Sequence, residues 1–324
     1  MVKAVRIREF GAPDVMQIED ITLAAPGPGE ALVRHTAIGL NYLDTYHRHG
    51  HYPMPLPSGL GVAGAGVIEA IGPGVTDLKP GDRVAYAGGP PGSYAEARIV
   101  GADRLVPVPA GVDDRIAAAT LQQGITARFL LKNVFPVKAG DTILFHAAAG
   151  GLGTIACQWA KKLGATVIGT VGSDAKAAHA IAHGCDHVIV YSREDVPARV
   201  AEITGGKGVS AVYDSVGKDT FDASLRSLAM FGTFVSFGYS SGNIEAFDPN
   251  ILGEAGSLSF ARPRYVHYVR QRSDMLAMAN DYFGLLLTKQ ITFEIGQTYR
   301  MDQVAQAHAA MEGRATIGSS VLVP

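Results

Sequence analysis

The run Leu144-Phe145-His146-Ala147-Ala148-Ala149-Gly150-Gly151-Leu152-Gly153-Thr154-Ile155 passes from apolar residues into a string of small ones and back to an apolar pattern. A strand that turns at once into a helix reads this way. Helix-start N–H groups and the helix dipole attract a pyrophosphate, which any side chain larger than alanine would hold away. Ala147, Gly150 and Gly153 have the spacing of the dinucleotide fingerprint, with alanine at its first position and Gly151 and Leu152 inside it. About 20 residues on, an NAD site places an acid for the ribose 2′-hydroxyl. Here stands Val171-Gly172-Ser173, with no acid, room at Gly172, and Lys176 as a partner for a 2′-phosphate. That pattern selects NADPH. Asp174 opposes it, since a carboxylate turned inward would repel the phosphate; alternatively Asp174 and Lys176 are exposed residues of a helix's first turn.

Two further groups of residues could do chemistry. Asp44 and Tyr46 lie close enough in the chain to pass a proton, although a buried, hydrogen-bonded structural acid fits Asp44 equally. His47, His49 and His51 alternate, and three imidazoles on one face of an extended segment could bind zinc. Arg48 and Gly50 between them read as an exposed loop with no acid placed behind the histidines, so no metal is expected. The two cysteines, Cys157 and Cys185, are too few for a disulfide framework or a four-thiolate site. Cys157 reads as core packing.

The elements that must position these residues follow from periodicity. Residues 1 to 123 read as mostly β: an alternating start at Met1–Arg8, apolar runs at Ala31–Ile38 and Gly66–Ile71, and a Lys79-Pro80-Gly81-Asp82 turn into a further strand. Short strands between Gly and Pro turns suggest a compact barrel-like domain. From residue 124 strands and helices of about ten residues alternate, as βαβ units do. Strands are expected at 142–146, 166–171, 188–191, 209–215 and 232–237, and helices at 154–163, 175–183 and 221–229. After Arg262-Pro263 the pattern turns helical, at 275–287 and 304–311, and ends on Ser319–Val323, a strand short enough to need the first domain's sheet.

With 324 residues, 47% hydrophobic and 18% charged, the chain suits two globular domains. A net charge of −2 offers no basic field for nucleic acid or anionic lipid. Thr142–Ala160 lacks Asp, Glu, Lys and Arg, but its glycines and strand-like start read as a buried strand–turn–helix rather than a membrane span. Few cysteines and no signal-peptide pattern point to the cytoplasm.

Several motifs in order carry a resemblance: Gly81-Asp82-Arg83-Val84, the Ala-x-x-Gly-x-x-Gly turn, Val212-Tyr213-Asp214-Ser215-Val216-Gly217 and Phe234-Val235-Ser236-Phe237-Gly238. Together they resemble the medium-chain dehydrogenase/reductase superfamily. Phe145–Gly151 and the ending Arg314-Ala315-Thr316-x-Gly318-Ser319-Ser320 are similar to its bacterial NADPH:quinone oxidoreductases, relatives of zeta-crystallin. The resemblance runs from Lys3 to Pro324. It implies an α/β fold in which a Rossmann doubly wound parallel sheet, 124–262, is inserted into a GroES-like β-barrel-type domain, 1–123 plus 263–324. The cofactor would lie in the cleft between them.

The same resemblance assigns residues. Asn41, Thr126, Gly172, Lys176, Tyr191 and Arg314 match positions that touch NADPH, with Lys176, Tyr191 and Arg314 caging the 2′-phosphate. Ser173, Ser215, Phe237, Gly238 and Ser240 join the cofactor set at the strand ends, the last three near the nicotinamide. Tyr46 and Tyr52 match tyrosines of the quinone pocket, beside Asn41 and Asp44. The strand 256–262 would pair with its symmetry mate in a homodimer, through Leu258–Arg262. Where zinc relatives keep Cys, His and Glu, this sequence has Asn41, Val62 and Ala63, so hydride would pass to an acceptor without a Lewis acid. A quinone, already electrophilic, suits this; an α,β-unsaturated carbonyl is the alternative. A cofactor-bound RNA-binding or crystallin-like structural role finds no basic stripe or aromatic platform. The sequence departs from its relatives at Ala63, where the family often has Glu, and at Gly318-Ser319, where the superfamily prefers Gly-Lys.

Overall fold

The computed structural model describes residues 1–324, which form two compact units. One comprises Met1–Gln123, Gln271–Leu287 and Phe293–Pro324; the other comprises Gly124–Arg270 and Thr288–Thr292. Residues 263–270, grouped with the first domain on sequence, thus lie in the second unit, as does the short return at Thr288–Thr292.

The first unit opens with β1 (Val2–Ile7), β2 (Gln17–Ile21), β3 (Glu30–Leu40), α1 (Tyr42–His49), β4 (Ser58–Gly59), β5 (Ala63–Ile71), β6 (Arg83–Ala87), β7 (Ala97–Gly101) and β8 (Val106–Pro107). β1 runs between β2 and β4 in a three-stranded sheet. The larger sheet is organised by β3, whose eleven residues pair with β5 along one edge from Ala31↔Ile71 to Gly39↔Ala63. Its other edge is shared. β7 takes Glu30–Arg34, and the C-terminal strand takes Ile38–Leu40. Inward-facing Val5, Ile7, Ile38, Leu40, Leu60, Tyr94 and Leu322 form one core, and Val33, Ile68, Val84, Tyr86 and Leu105 another.

α1 corrects the sequence reading, which took this stretch as extended and exposed. Asn41 begins the helix in an extended conformation, its N–H donating to the Asp44 carboxylate at 2.9 Å, and Gly50 at φ +77° ends it. α2 (Asp114–Phe129) is likewise helical well before residue 124 and runs across the boundary between the units.

The second unit continues with β9 (Thr142–Phe145), α3 (Gly151–Lys162), β10 (Thr166–Val171), α4 (Asp174–Ala182), β11 (His187–Val190), α5 (Val196–Thr204), β12 (Val209–Asp214), α6 (Phe221–Ser227), β13 (Leu228–Ser236), α7 (Asn250–Glu254), β14 (Ser259–Ala261) and α8 (Tyr265–Tyr268). Its six strands are all parallel in the order β11-β10-β9-β12-β13-β14, the doubly wound arrangement with its reversal between β9 and β12. Gln158 on α3 clamps Thr292, donating to its carbonyl at 2.8 Å and accepting from its N–H at 2.9 Å. This bond ties the Thr288–Thr292 return to the second unit.

The chain closes with α9 (Arg272–Leu287), β15 (Ile295–Arg300), α10 (Val304–Glu312) and β16 (Ser319–Val323). β16 joins the first unit's sheet between β15 and β3, which supplies the host that so short a strand needs. β15 was not foreseen in a stretch read as helical. It alternates half-buried and exposed residues, and its one strand partner is β16, 20 residues and more away.

Candidate active site

β9 delivers the chain to the reversal point of the parallel sheet, where ligands of such sheets bind. Ala147 adopts φ +55°, a left-handed conformation that glycine usually supplies, and Gly150 N–H closes the turn on the Ala147 carbonyl at 2.9 Å. α3 then starts at Gly151, three residues earlier than the apolar pattern suggested, with Gly150 as its cap. Its first N–H groups, on Gly151, Leu152 and Gly153, have no carbonyl a turn behind them to bond. At Gly153 a β-carbon would lie 2.5 Å from the carbonyl oxygens of both Ala147 and Ala148, so glycine is what lets helix and turn close up. The turn has the shape that a pyrophosphate cradle needs.

At the end of β10, a β-carbon on Gly172 would lie 2.7 Å from the Tyr191 hydroxyl, so Gly172 and Tyr191 meet here. Ser173 caps α4 from an extended conformation, and Lys176 sits in that helix's first turn. Asp174 does not face the site unopposed. Arg193, just past β11, grips its carboxylate with both terminal nitrogens, at 3.0 and 2.6 Å, and this bond holds Asp174 below the usual carboxylate range. The sequence reading missed Arg193, whose only signal was a position two residues beyond Tyr191.

Ser215, Phe237, Gly238 and Ser240 converge through backbone bonds. Phe237 N–H reaches the Asp214 carbonyl at 2.8 Å, Ser240 N–H reaches the Ser215 carbonyl at 3.1 Å, and the Phe145 and Phe237 rings approach to 5.8 Å. Beneath them lies a buried polar chain that sequence reasoning also missed. His146 bonds Thr170 Oγ1 at 2.9 Å and Ser224 Oγ at 3.0 Å, and the Ser224 hydroxyl donates to Asp214 at 2.8 Å. Asp214 accepts in addition from the N–H groups of Val216 and Gly217 and from the Thr220 hydroxyl. Burial lowers the His146 pKa and so keeps the ring neutral, and the chain pins the ends of β9 and β12 together. Thr126 lies on α2 within the second unit.

In the first unit, Asn41 and Asp44 are buried at the start of α1, with Asn41 Oδ1 accepting from Gln123 at 3.0 Å. Tyr46 and Tyr52 face each other edge-on, ring centroids 6.1 Å apart, with Tyr42 packed on Tyr46. Asp44 is not partnered with Tyr46 in the way a relay between them requires; its hydroxyl partner is Tyr94, at 2.8 Å. Arg314 stands just after α10 at φ +55°. Arg48, read as an exposed loop residue, has no solvent exposure at all. The helix turns His47 and His49 to different faces: His49 bonds Glu312 at 2.7 Å and has the His51 ring 6.2 Å away, while His47 packs on Tyr52. No three His, Cys, Asp or Glu side chains converge on a common point for a metal.

The glycine-lined turn, the bare α3 N-terminus and the open side of Gly172 fit a dinucleotide in the second unit. An amide, an isopropyl and a methyl group, from Asn41, Val62 and Ala63, are a poor zinc donor set.

Residues 27–110 match the family described as alcohol dehydrogenase GroES-like domain, and residues 151–277 the family described as zinc-binding dehydrogenase. Over the full length of both chains, the protein is 47% identical to a quinone oxidoreductase of Pseudomonas aeruginosa. It is 43% identical to a 2-haloacrylate reductase of a Burkholderia species, covering all of this chain and 99% of that one. The crystal structure of Escherichia coli quinone oxidoreductase complexed with NADPH superposes with a TM-score of 0.97 at 43% identity, covering 99% of this chain and 100% of the other.

Proposed function

The chain belongs to the quinone oxidoreductases of the medium-chain dehydrogenase/reductase superfamily, and from that membership we propose that it reduces quinones with NADPH and without zinc. The observation that carries this reading is the pairing of an intact dinucleotide cradle with Asn41, Val62 and Ala63 at the positions where zinc relatives keep ligands. NADPH supplies the hydride. The cradle at Ala147–Gly153 takes the pyrophosphate, Lys176, Tyr191 and Arg314 take the 2′-phosphate, and Thr126, Ser215, Phe237, Gly238 and Ser240 line the way to the nicotinamide. Tyr46 and Tyr52 offer aromatic faces to a flat acceptor, beside Asn41. The Rossmann unit serves as the NADPH-binding domain and the GroES-like unit as the substrate domain.

A quinone gains aromaticity on reduction and needs no metal to polarise it, so catalysis reduces to placing hydride donor and acceptor within attack distance. The 2-haloacrylate reductase among the relatives favours a second reading, in which the acceptor is an α,β-unsaturated carbonyl. Steady-state rates with 1,2-naphthoquinone and with 2-alkenals, each with NADPH and NADH, separate the two. NADPH with the quinone should give the highest kcat/KM, and an alkenal that outpaces every quinone would reverse the order.

The protein acts as a homodimer in the cytoplasm. β14 is the last strand of the parallel sheet and no strand of this chain covers its outer edge; a bare edge of this kind pairs readily with a second copy. Both cysteines are free and buried, as suits a reducing compartment, and no helix is long and apolar enough to cross a membrane. Sedimentation at micromolar concentration should show twice the 34.0 kDa chain mass, and a clean monomer would defeat the dimer.

A further inference from the structure

The most heavily buried polar cluster of the first unit has Arg48 at its centre. The Arg48 Nη1 group bonds His308 Nδ1 at 2.7 Å, His308 Nε2 bonds the Tyr94 hydroxyl at 2.9 Å, and Tyr94 bonds Asp44 Oδ2 at 2.8 Å. Arg48, Asp44 and His308 have no solvent exposure, and Tyr94 has 1%. On its outer side Arg48 donates to the Gly11 carbonyl and to Glu312, which His49 also contacts.

The chemistry of arginine sets the direction of every bond in this chain. A guanidinium only donates, so His308 Nδ1 must accept and its proton must sit on Nε2. Nε2–H then donates to the Tyr94 oxygen, which leaves the Tyr94 hydroxyl hydrogen for Asp44 Oδ2. That same oxygen receives the Asn41 N–H at 2.9 Å. Arg48 cannot hand on a proton, so the chain is no wire to the surface. It is a fixed polarity ending on one oxygen of one carboxyl.

The other oxygen, Asp44 Oδ1, is buried without a hydrogen-bond partner, and so are Asn41 Nδ2 and Gln123 Oε1. Gln123 Nε2 donates to Asn41 Oδ1, so the three residues are joined. Turning both amides over would still leave one donor and one acceptor unpartnered. Unmet polar atoms at this depth are costly and call for a reason.

We propose that Asp44 holds the proton that the reduction consumes, that this proton sits on Oδ1, and that Tyr94, His308 and Arg48 are positioning residues that keep it there by occupying Oδ2. The assignment rests on the reductase reading above. Each two-electron reduction of a quinone or an enone takes up one proton besides the hydride. The Oδ1–H bond breaks with its electron pair left on the carboxylate, and the proton passes through one water, held by the unpartnered Asn41 and Gln123 amides, to the reduced acceptor, where the new bond forms. Solvent returns a proton to the carboxylate between turnovers.

Electrostatics agrees with the geometry. Burial pushes Asp44 up to about 7, against the smaller opposing effects of the Asn41 N–H and Tyr94 bonds. The groups around it are Tyr94 and Tyr86, His308 and Glu312, and His47, Arg48 and His49 of its own helix. Burial raises Tyr86 to about 12 and Tyr94 well above its usual value, lowers His308 to about 3, and lowers His47 as well. Glu312, bonded by Arg48 and His49, is held low although its partial burial acts upward. Of the chain's own members, Asp44 alone changes charge near neutrality.

The test compares the unmodified protein with Tyr94→Phe and Asp44→Asn. Turnover of NADPH with a small ortho-quinone, followed from about pH 5 to 9, should fall above a midpoint near Asp44's. Tyr94→Phe removes a donor that favours the carboxylate, so this midpoint should rise by about one pH unit while the Kd for NADPH stays within about twofold. Asp44→Asn should lose about 100-fold or more in kcat and the inflection with it. In cofactor-free protein, infrared difference spectra should show a protonated carboxyl band that Asp44→Asn lacks and that persists to higher pH in Tyr94→Phe. Should Tyr94→Phe not fold, Tyr94→Met removes the same hydroxyl and carries the same shift, whereas His308→Gln, which can accept from Arg48 and donate to Tyr94, should keep the original midpoint. An unmoved midpoint, or an Asp44→Asn enzyme of near-normal kcat, overturns the assignment alone. No turnover with any acceptor overturns the functional reading and the assignment with it.

Discussion

If Lys176 holds the 2′-phosphate as proposed, Lys176→Ala should weaken NADPH binding by about 10- to 100-fold and leave NADH nearly unchanged, because NADPH differs only by that phosphate. A charge-assisted contact to phosphate is worth roughly 1.5–3 kcal/mol, which sets that range. The surroundings explain why one lysine can matter so much. Gly172 keeps the pocket open, since any β-carbon there would meet the Tyr191 hydroxyl. Asp174, the one acid of the α4 first turn, is neutralised by Arg193 and cannot repel the ligand as a lone carboxylate would. Isothermal titration with 2′,5′-ADP and with 5′-AMP isolates the contact from catalysis. Equal affinity of the unmodified protein for the two nucleotides would overturn the phosphate pocket.

Alcohols should give no detectable NADP⁺ reduction, and reduction of ortho-quinones should survive exhaustive chelation unchanged. Oxidising an alcohol requires its hydroxyl to lose a proton before hydride can leave, and zinc lowers that barrier by several kcal/mol in enzymes that hold it. Asn41, Val62 and Ala63 offer no thiolate, imidazole or carboxylate for that task. The nearest acid, Asp44, rises to about 7 through burial, a weak base beside what alkoxide formation demands. The histidines of α1 are the place where this expectation can fail. Quinone reduction that chelators abolish and zinc restores would reassign the site to His47, His49 and His51, although α1 turns His47 and His49 to different faces and His49 is engaged with Glu312.

Much of this molecule was legible residue by residue, because the relevant physics is local. A pyrophosphate turn needs small residues at fixed offsets between a strand and a helix, and the run from Ala147 to Gly153 shows them whatever surrounds it. Alternation of strand and helix periods announced the parallel sheet, since each period reflects which face of a short segment is buried. The missing acid after β10 and the missing zinc ligands are likewise facts of residue type.

What the tertiary structure alone decided has a common cause: partners far apart in the chain. Arg48, flanked by histidines and glycine, reads as a solvated charge, yet it is buried by His308 and Glu312, 260 and 264 residues away. Asp44 finds its hydroxyl partner in Tyr94, 50 residues on, rather than in Tyr46 two residues on, because α1 is a helix and places the two on different faces. Arg193 quiets Asp174 across 19 residues, and β15 exists because β16 is there to pair with it. Composition and spacing specify which groups a chain possesses and which turns it can make. The charge state of a buried carboxyl, and the oxygen that carries its proton, depend on desolvation and on hydrogen bonds that exist only once the strands and helices have packed.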